Sequence, residues 1–181
     1  DSMLKNPACA TQIKRSQVTT AYASYYESSN QVACLGYLNN YEGVGVALFV
    51  PAKAISDIPE TISSEGKGQQ IGTFSDIEIE PTLTFGFPIS KGWAWGVGAS
   101  FHYHGISTET AQGISLQTGI SGNLFHWSVG VSLQNIGDTL SWSTGTEEHR
   151  PLLLNIGLAS PTTVFGQIFS DVSVQQNELE S

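Results

Sequence analysis

A strict alternation of apolar and polar residues constrains the fold of this chain more than any other feature. In residues 76–87 the odd positions are apolar and the even positions are polar or glycine. The runs 93–104 and 127–134 keep the same period of two. Successive side chains of an extended strand point to opposite faces, so each run predicts a strand with one apolar face and one polar face.

The predicted strands are long. Strands of soluble sheets usually contain about five or six residues, whereas a tilted strand needs roughly 9–11 residues to cross a bilayer. We therefore predict an all-β fold, an antiparallel transmembrane β-barrel, with about nine recognisable strands. In that fold the apolar row faces lipid and the polar row faces the lumen.

The composition of the chain agrees with a barrel and excludes other classes. Charged residues make up 13% of the sequence, about half the share usual in soluble domains. No apolar run approaches the roughly 18 residues of a transmembrane helix. The formal net charge is −9 and no basic stripe is present, so we predict no nucleic-acid partner.

The strands and loops are predicted from where the alternation holds and where it breaks. Residues 1–15 lack the period of two and are predicted to form a short plug-like segment, and residues 16–181 to form the strands and loops of the barrel. Long loops are predicted at 51–72 and 137–150, and a shorter one at 107–112, because turn-forming residues interrupt the pattern. The predicted strands are 16–27, 31–39, 43–50, 74–88, 93–106, 113–121, 127–136, 151–159 and 164–175.

Three tryptophans lie at the start of two predicted strands that follow tight turns. Trp93 and Trp127 are the first residues of these strands, and Trp95 follows Trp93 on the same face. Indole rings favour the boundary between lipid and water, where one side is apolar and the other is wet. We predict that these residues lie at one rim of the barrel. In a soluble β-sandwich the same side chains would belong to the core.

Charged and imidazole side chains share the polar face of two neighbouring predicted strands. A turn centred near Ser90 would place Glu78 opposite His102 and Asp76 opposite His104, with Glu80 nearby. Such pairs could bind a metal or act in acid–base chemistry, but we favour charge pairing across a hydrated lumen. No serine or threonine lies in a nucleophile motif. We therefore predict a non-enzyme without cofactor or metal.

The sequence resembles a known family at its start and along several strands. Asp1-Ser-Met-Leu-Lys-Asn-Pro-Ala8 resembles the "D-x-S-x-x-x-x-N-P-A-G" signature of the FadL-like outer-membrane transporter superfamily and of the related PorV-like group, with Cys9 in place of the final glycine. The runs Gly96-Val-Gly-Ala-Ser, 127–137 and 151–158 are similar to the glycine-rich rhythm of that group. Asn6, Pro7 and Ala8 would then form a plug motif, whereas alone they would favour an ordinary turn.

The resemblance implies a protein of the bacterial outer membrane, with a larger barrel than the strands recognised here. Its partners would be outer-membrane lipid and either a hydrophobic small molecule that it takes up or the proteins of a surface or secretion complex that it anchors. The alternative is a soluble or surface-exposed β-sandwich that binds carbohydrate or protein. Cys9 and Cys34 could pair in an oxidising compartment or pack as unpaired thiols.

Overall fold

The computed structural model describes residues 2–26, 29–64, 67–161 and 168–175. A short helix α1 (Ser2–Lys5) and a 3₁₀ helix (Pro7–Gln12) precede eleven strands in one antiparallel sheet. The all-β, antiparallel prediction is confirmed. The strands are β1 (Gln17–Tyr25), β2 (Asn30–Tyr41), β3 (Val44–Ser64), β4 (Lys67–Ile79), β5 (Thr82–Ser90), β6 (Trp93–Ile106), β7 (Glu109–Leu124), β8 (Trp127–Trp142), β9 (Glu147–His149), β10 (Leu153–Ala159) and β11 (Phe169–Gln175).

The sheet is a meander in which neighbouring strands are mostly consecutive in sequence. Its order is β1-β2-β3-β4-β6-β7-β8-β10-β11, while β5 pairs with β3 and β6, and β9 pairs with β8. The two outermost strands, β1 and β11, run in the same direction because an even number of antiparallel steps separates them. Closure of this sheet into a barrel is not seen in the part of the chain that the structure describes.

The prediction of a long loop at 51–72 is wrong. β3 continues to Ser64 and pairs with β4 up to the register Ser64↔Lys67. Residues 58–64 and 67–75 extend beyond β2 and β6 and form a two-stranded arm, beside which no further strand lies among the described residues. Pro59 is tolerated there because a proline lacks an N–H and an arm strand has an unpaired edge. The proline and glycine residues had indicated a loop.

The loop predictions at 107–112 and 137–150 are also wrong in large part. β6 and β7 are joined at Ser107 and Thr108, and β8 runs on to Trp142. β8 passes through two bulges, one on each side of Ile136, with Asn135 (φ 59°) and Gly137 (φ 68°) in the left-handed region. Each bulge adds one residue to β8, and two added residues return the following side chains to their original faces. A local pattern typical of a strand end therefore lies inside a strand.

Other predicted boundaries differ less. The single strand predicted at 74–88 is two strands, because the sheet breaks at Glu80 and Pro81 between β4 and β5. Of the strand predicted at 164–175, the part before residue 168 lies outside the described residues. Among the described residues no helix has both the length and the apolar character needed to span a bilayer.

From β5 to β8 and on β10, most buried side chains are polar and most large exposed ones are apolar, which is the reverse of the usual arrangement in a soluble protein. On β6, Trp95 and Phe101 are each 41% exposed, whereas Ser100 (7%) and His102 (4%) are buried. We call the buried, polar side the inner face and the exposed, apolar side the outer face. The buried polar set includes Thr82, Thr84, Ser100, Ser115, Gln117 and Ser132, and the exposed apolar set includes Leu83, Ile114, Leu116, Ile120, Val131, Ile156 and Leu158.

The N-terminal segment (residues 2–13) covers part of the inner face. It contacts β3, β5, β6 and β7, and hydrogen bonds join it to β8. A chain segment this short touches so many strands only if the sheet curves around it. The apolar cluster beside it comprises Ala10, Ile13, Leu38, Ala47 and Phe49, with Met3, Leu4 and Cys34 at its margin. Cys34 is a free thiol in this position.

Candidate functional site on the inner face

The N-terminal segment is shaped by Asn6, Pro7 and Ala8. Asn6 caps the 3₁₀ helix: its side-chain oxygen accepts a hydrogen bond of 3.0 Å from the backbone N–H of Ala8. Pro7 occupies the first helical position, where its missing N–H costs nothing. All three residues are buried. The tripeptide is therefore a helix start packed against the sheet.

Four hydrogen bonds fasten this segment to two adjacent strands. The Asn6 Nδ2 group donates to the backbone carbonyls of Ile120 at 3.1 Å and Val131 at 3.4 Å. From β8, Ser132 Oγ donates to the carbonyl of Lys5 at 2.6 Å and Gln134 Nε2 donates to that of Leu4 at 2.7 Å. Because these bonds satisfy two carbonyls of α1 and the Asn6 amide, the segment has a specific seat.

A row of glycines forms that seat. Gly45 pairs with Gly86, Gly86 with Gly96, and Gly96 with Gly119, so four strands each place a glycine at the same height. A Cβ on Gly45 would lie 1.8 Å from the carbonyl oxygen of Ala10, and one on Gly96 would lie 2.3 Å from the nitrogen of Ala8. We call these four residues the glycine belt. It lets the N-terminal segment approach the sheet backbone directly.

Replacement of Asn6 by alanine is expected to lower the free energy of unfolding by about 0.5–2 kcal/mol, because a helix cap is lost. Asn6→Ser keeps a capping oxygen but loses the amide that reaches Ile120 and Val131. It should therefore recover only part of the loss. Urea unfolding followed by tryptophan fluorescence measures both variants, and an unchanged midpoint for Asn6→Ala would contradict this account.

An ionic network lies on the inner face beyond the N-terminal segment. His102 Nδ1 is 3.2 Å from Glu80 Oε2, and His102 Nε2 is 3.3 Å from Asp138 Oδ2. Arg150 completes the network, with Nε at 3.0 Å from Asp138 Oδ2 and Nη1 at 3.4 Å from Glu80 Oε2, while its Nη2 contacts His102 Nδ1. Ser115 Oγ forms a 2.8 Å hydrogen bond with His102 Nε2.

The Asp138 carboxylate is the most deeply placed group of this network. Its side chain is 0% exposed, yet neither of its oxygens has a hydrogen bond of good geometry among the described residues. Arg150 Nε is near it, but its N–H is not directed at a partner. The contact is thus a close charge pair rather than a hydrogen bond.

The register of the histidines differs from the predicted one. Glu78 lies opposite His104, and not opposite His102, because the turn falls at Lys91 and Gly92 (φ 81°) and a bulge between Pro88 and Ser90 shifts the ladder by one residue. His104 Nε2 still reaches Asp76 Oδ1, at 2.8 Å, across the diagonal. The turn alone would move the partner of Glu78 by three positions, and the extra residue at the bulge takes one of them back.

Asp76, Glu78 and His104 are the only described group with metal-ligand atoms close together, all within 4.8 Å of one another. Lys53 Nζ already lies 3.1 Å from Glu78 Oε1. His104 is already hydrogen-bonded to Asp76, and its ring packs against that of Trp142 with a centroid distance of 5.1 Å. The arrangement is that of two ion pairs, so we do not assign these residues as metal ligands.

The three tryptophans predicted at a rim all lie on the outer face. Trp93, Trp95 and Trp127 are 36%, 41% and 39% exposed. Trp95 Nε1 donates to Thr118 Oγ1 at 3.0 Å, which satisfies its N–H on the sheet surface. Trp142, by contrast, belongs to the inner face beside His104.

A cavity of about 1070 Å³ separates the N-terminal segment from β10 and β11. Its walls carry mostly small residues, among them Ser121, Gly130, Gly157 and Ala159. Lys5 crosses one side of it and pairs with Asp171 Oδ2 at 3.1 Å. Both partners of that pair are more than half exposed, so the contact is weak.

Ser115, Asp138 and Arg150 were not foreseen as site residues. Asp138 and Arg150 fell in a predicted loop, and Ser115 is one of many serines in the chain. The signal for Asp138 was the polar alternation, which continues past Gly137 once two bulges are allowed. No local signal marks Arg150, because it reaches Glu80 from 70 residues away in sequence.

The fold and this site define an all-β chain whose antiparallel sheet curves around its own N-terminal segment and places the network of His102, Glu80, Asp138 and Arg150 on the inner face. Comparison with protein-family models, with curated proteins and with solved structures finds no match. What the chain does must therefore be argued from its geometry.

Proposed function

We propose that this chain is an outer-membrane β-barrel protein of the FadL or PorV type. The observation that carries the proposal is the reversed polarity of the sheet, with apolar side chains exposed and polar side chains buried. Monomeric soluble proteins rarely expose large contiguous apolar patches. A sheet in a bilayer needs this arrangement, because lipid surrounds the outer face and the backbone is satisfied between strands.

The composition of the outer face supports the same proposal. On β5, β6, β7, β8 and β10, none of the described outer-face residues is charged. About ten residues of β6, at roughly 3.3 Å per residue and a tilt of about 40°, give an apolar band ~25 Å tall. That height matches the apolar band of transmembrane barrels.

Two roles fit such a barrel, and each is favoured by one feature. Uptake of a hydrophobic small molecule is favoured by the cavity of about 1070 Å³ beside the N-terminal segment, which is larger than most ligand sites. An accessory or anchoring role in a surface or secretion assembly is favoured by the arm at residues 58–64 and 67–75. In the part of the chain that the structure describes, no strand pairs with either edge of that arm, so a partner strand could add there. Neither role requires catalysis.

Brominated lipids provide the test, because bromine quenches tryptophan fluorescence only over short distances. A variant that retains Trp95 alone should be strongly quenched in such vesicles. The matched variant that retains Trp142 alone should be quenched little, since Trp142 lies on the inner face against His104. The three removed tryptophans become phenylalanine in each variant.

Equal quenching of the two variants would overturn the proposal. So would a wild-type chain that stays monodisperse in water without detergent, as expected for the soluble β-sandwich that binds carbohydrate or protein. The outer face has no covering layer among the described residues, whereas a sandwich requires a second sheet across its apolar face.

A further inference from the structure

A row of buried hydroxyl groups crosses three neighbouring strands of the inner face. Thr82 pairs with Ser100, and Ser100 pairs with Ser115, so β5, β6 and β7 each place a hydroxyl at the same height. The three residues are 3%, 7% and 5% exposed, and Thr82 Oγ1 lies 2.8 Å from Ser100 Oγ. Each hydroxyl accepts at most one hydrogen bond among the described residues, so each keeps a lone pair for another partner.

A small cavity of about 190 Å³ adjoins this row. All three hydroxyl residues line it, and so does Glu80. Glu80 uses Oε2 for its contacts with His102 and Arg150, whereas Oε1 pairs with no described residue. The cavity therefore offers a carboxylate together with three hydroxyl oxygens. Oxygen atoms of these kinds are the ligands of hard cations and the acceptors of ammonium groups.

The charges around His102 do not balance. Arg150 Nη2 can only donate a hydrogen bond and it contacts His102 Nδ1, so that nitrogen carries no proton. The single ring proton is then on Nε2, which faces Asp138 Oδ2 at 3.3 Å and Ser115 Oγ at 2.8 Å, and the imidazole is neutral. The two carboxylates of Glu80 and Asp138 are left with one guanidinium between them. Among the described residues no other lysine or arginine pairs with either carboxylate.

This excess of one negative charge lies largely away from water. The Asp138 side chain is 0% exposed and His102 is 4% exposed. Buried charges are paired or coordinate a cation, because a carboxylate without a partner loses its hydration energy. Lys53 does not supply the missing charge, since its Nζ is 3.1 Å from Glu78 Oε1. One monovalent cation in the cavity would restore the balance.

We propose that the small cavity binds one monovalent cation, an alkali-metal ion or the ammonium group of an amine, through Glu80 and the hydroxyls of Thr82, Ser100 and Ser115. The charge sets the class, because a divalent ion would reverse the imbalance instead of removing it. The size agrees, since about 190 Å³ holds an ion with several water molecules of roughly 30 Å³ each. This binding is independent of the transport and anchoring roles proposed above.

The test uses the whole chain in detergent, with rubidium chloride and methylammonium chloride as probes. Each probe replaces N-methylglucamine chloride, the salt of a bulkier cation, at constant ionic strength, so that general screening stays the same. Urea unfolding should show a saturable rise of the folding equilibrium constant with rubidium, about tenfold at ten times the dissociation constant. A similar response to methylammonium extends the site to amines, and no response to it restricts the site to alkali-metal ions.

Three variants locate the response to rubidium. Glu80→Gln removes the carboxylate of the cavity and should abolish the response. Thr82→Val removes one hydroxyl without changing any charge and should weaken rubidium binding roughly tenfold, the effect of one lost contact to a charged group. Asp76→Asn is the matched control, because it removes another inner-face carboxylate that does not line the cavity. Its response should equal that of the wild-type chain.

Three results would overturn the proposal: a wild-type chain that is no more stable in rubidium than in N-methylglucamine, equal losses of the response in Glu80→Gln and Asp76→Asn, or an unchanged response in both Glu80→Gln and Thr82→Val. Because Thr82→Val keeps every charge, it remains informative even where Glu80→Gln fails to fold. Lipid quenching of Trp95 reports separately on membrane insertion, so failure of one proposal is distinguishable from failure of the other.

Discussion

Arginine at Val131 is expected to lower the free energy of unfolding in lipid vesicles by about 2–4 kcal/mol, the cost of a charge on the lipid face near the midplane. Val131 lies on the outer face, 47% exposed, with Ile120 and Ile156 beside it on the neighbouring strands. In water the same substitution would replace an exposed surface residue and change stability by no more than about 0.5 kcal/mol. The size of the loss in stability therefore reports whether lipid or water surrounds the outer face.

The matched control is Gly157→Arg on β10. Gly157 is on the inner face, and a Cβ there would meet no heavy atom within 4 Å, so the new side chain can extend into the large cavity. Asp171 is opposite it in the ladder and can pair with the guanidinium. Urea titration of both variants folded into vesicles gives the comparison. Equal losses from the two faces would contradict the assignment of inside and outside.

Alanine at Gly45 or Gly96 is expected to cost about 1–3 kcal/mol, because the new methyl group would overlap the backbone of the N-terminal segment. The clashing atoms are backbone atoms of Pro7 and Ala8 for Gly96 and of Ala10 and Thr11 for Gly45, so no side-chain rotation relieves the overlap. Gly68→Ala, at a position where a Cβ meets nothing within 4 Å, should be close to neutral. Denaturant midpoints of the three variants in detergent provide the measurement.

Deletion of residues 1–12 provides a second test of this prediction. If the glycine belt exists to seat the N-terminal segment, Gly96→Ala should be costly in the full chain and nearly harmless in the shortened one. The difference between the two costs is the coupling between belt and segment. The same cost in both backgrounds would show that glycine is needed there for another reason, such as the curvature of the sheet.

The alternation of residues correctly predicted which side chains share a face of each strand, but it did not predict the lengths of the strands. Strand β6 has the predicted limits, since nothing interrupts its pattern. β8 was predicted to end at residue 136, yet two bulges there carry the strand on to Trp142. Bulges cannot be told from strand ends locally, because both use residues with positive φ such as Asn135 and Gly137.

The candidate site shows a similar division. Asp76, Glu78, Glu80, His102 and His104 all occupy the inner face, as the period of two predicts. Which of them meet depends on the position of a turn and of the bulge beside it, and the alternation alone specifies neither. Arg150 and Ser115 join them only through the pairing of distant strands.

The sequence by itself determined that this chain is built from long antiparallel strands, each with an apolar and a polar side, because side-chain direction alternates with every residue. The absence of that alternation from residues 1–15 also predicted that the N-terminal segment is not a strand. Only the tertiary structure decided that four glycines from four strands lie side by side under that segment, and that Ser115, His102, Glu80, Asp138 and Arg150 meet. Strand register depends on turns and bulges, and a shift of one residue there changes every cross-strand neighbour.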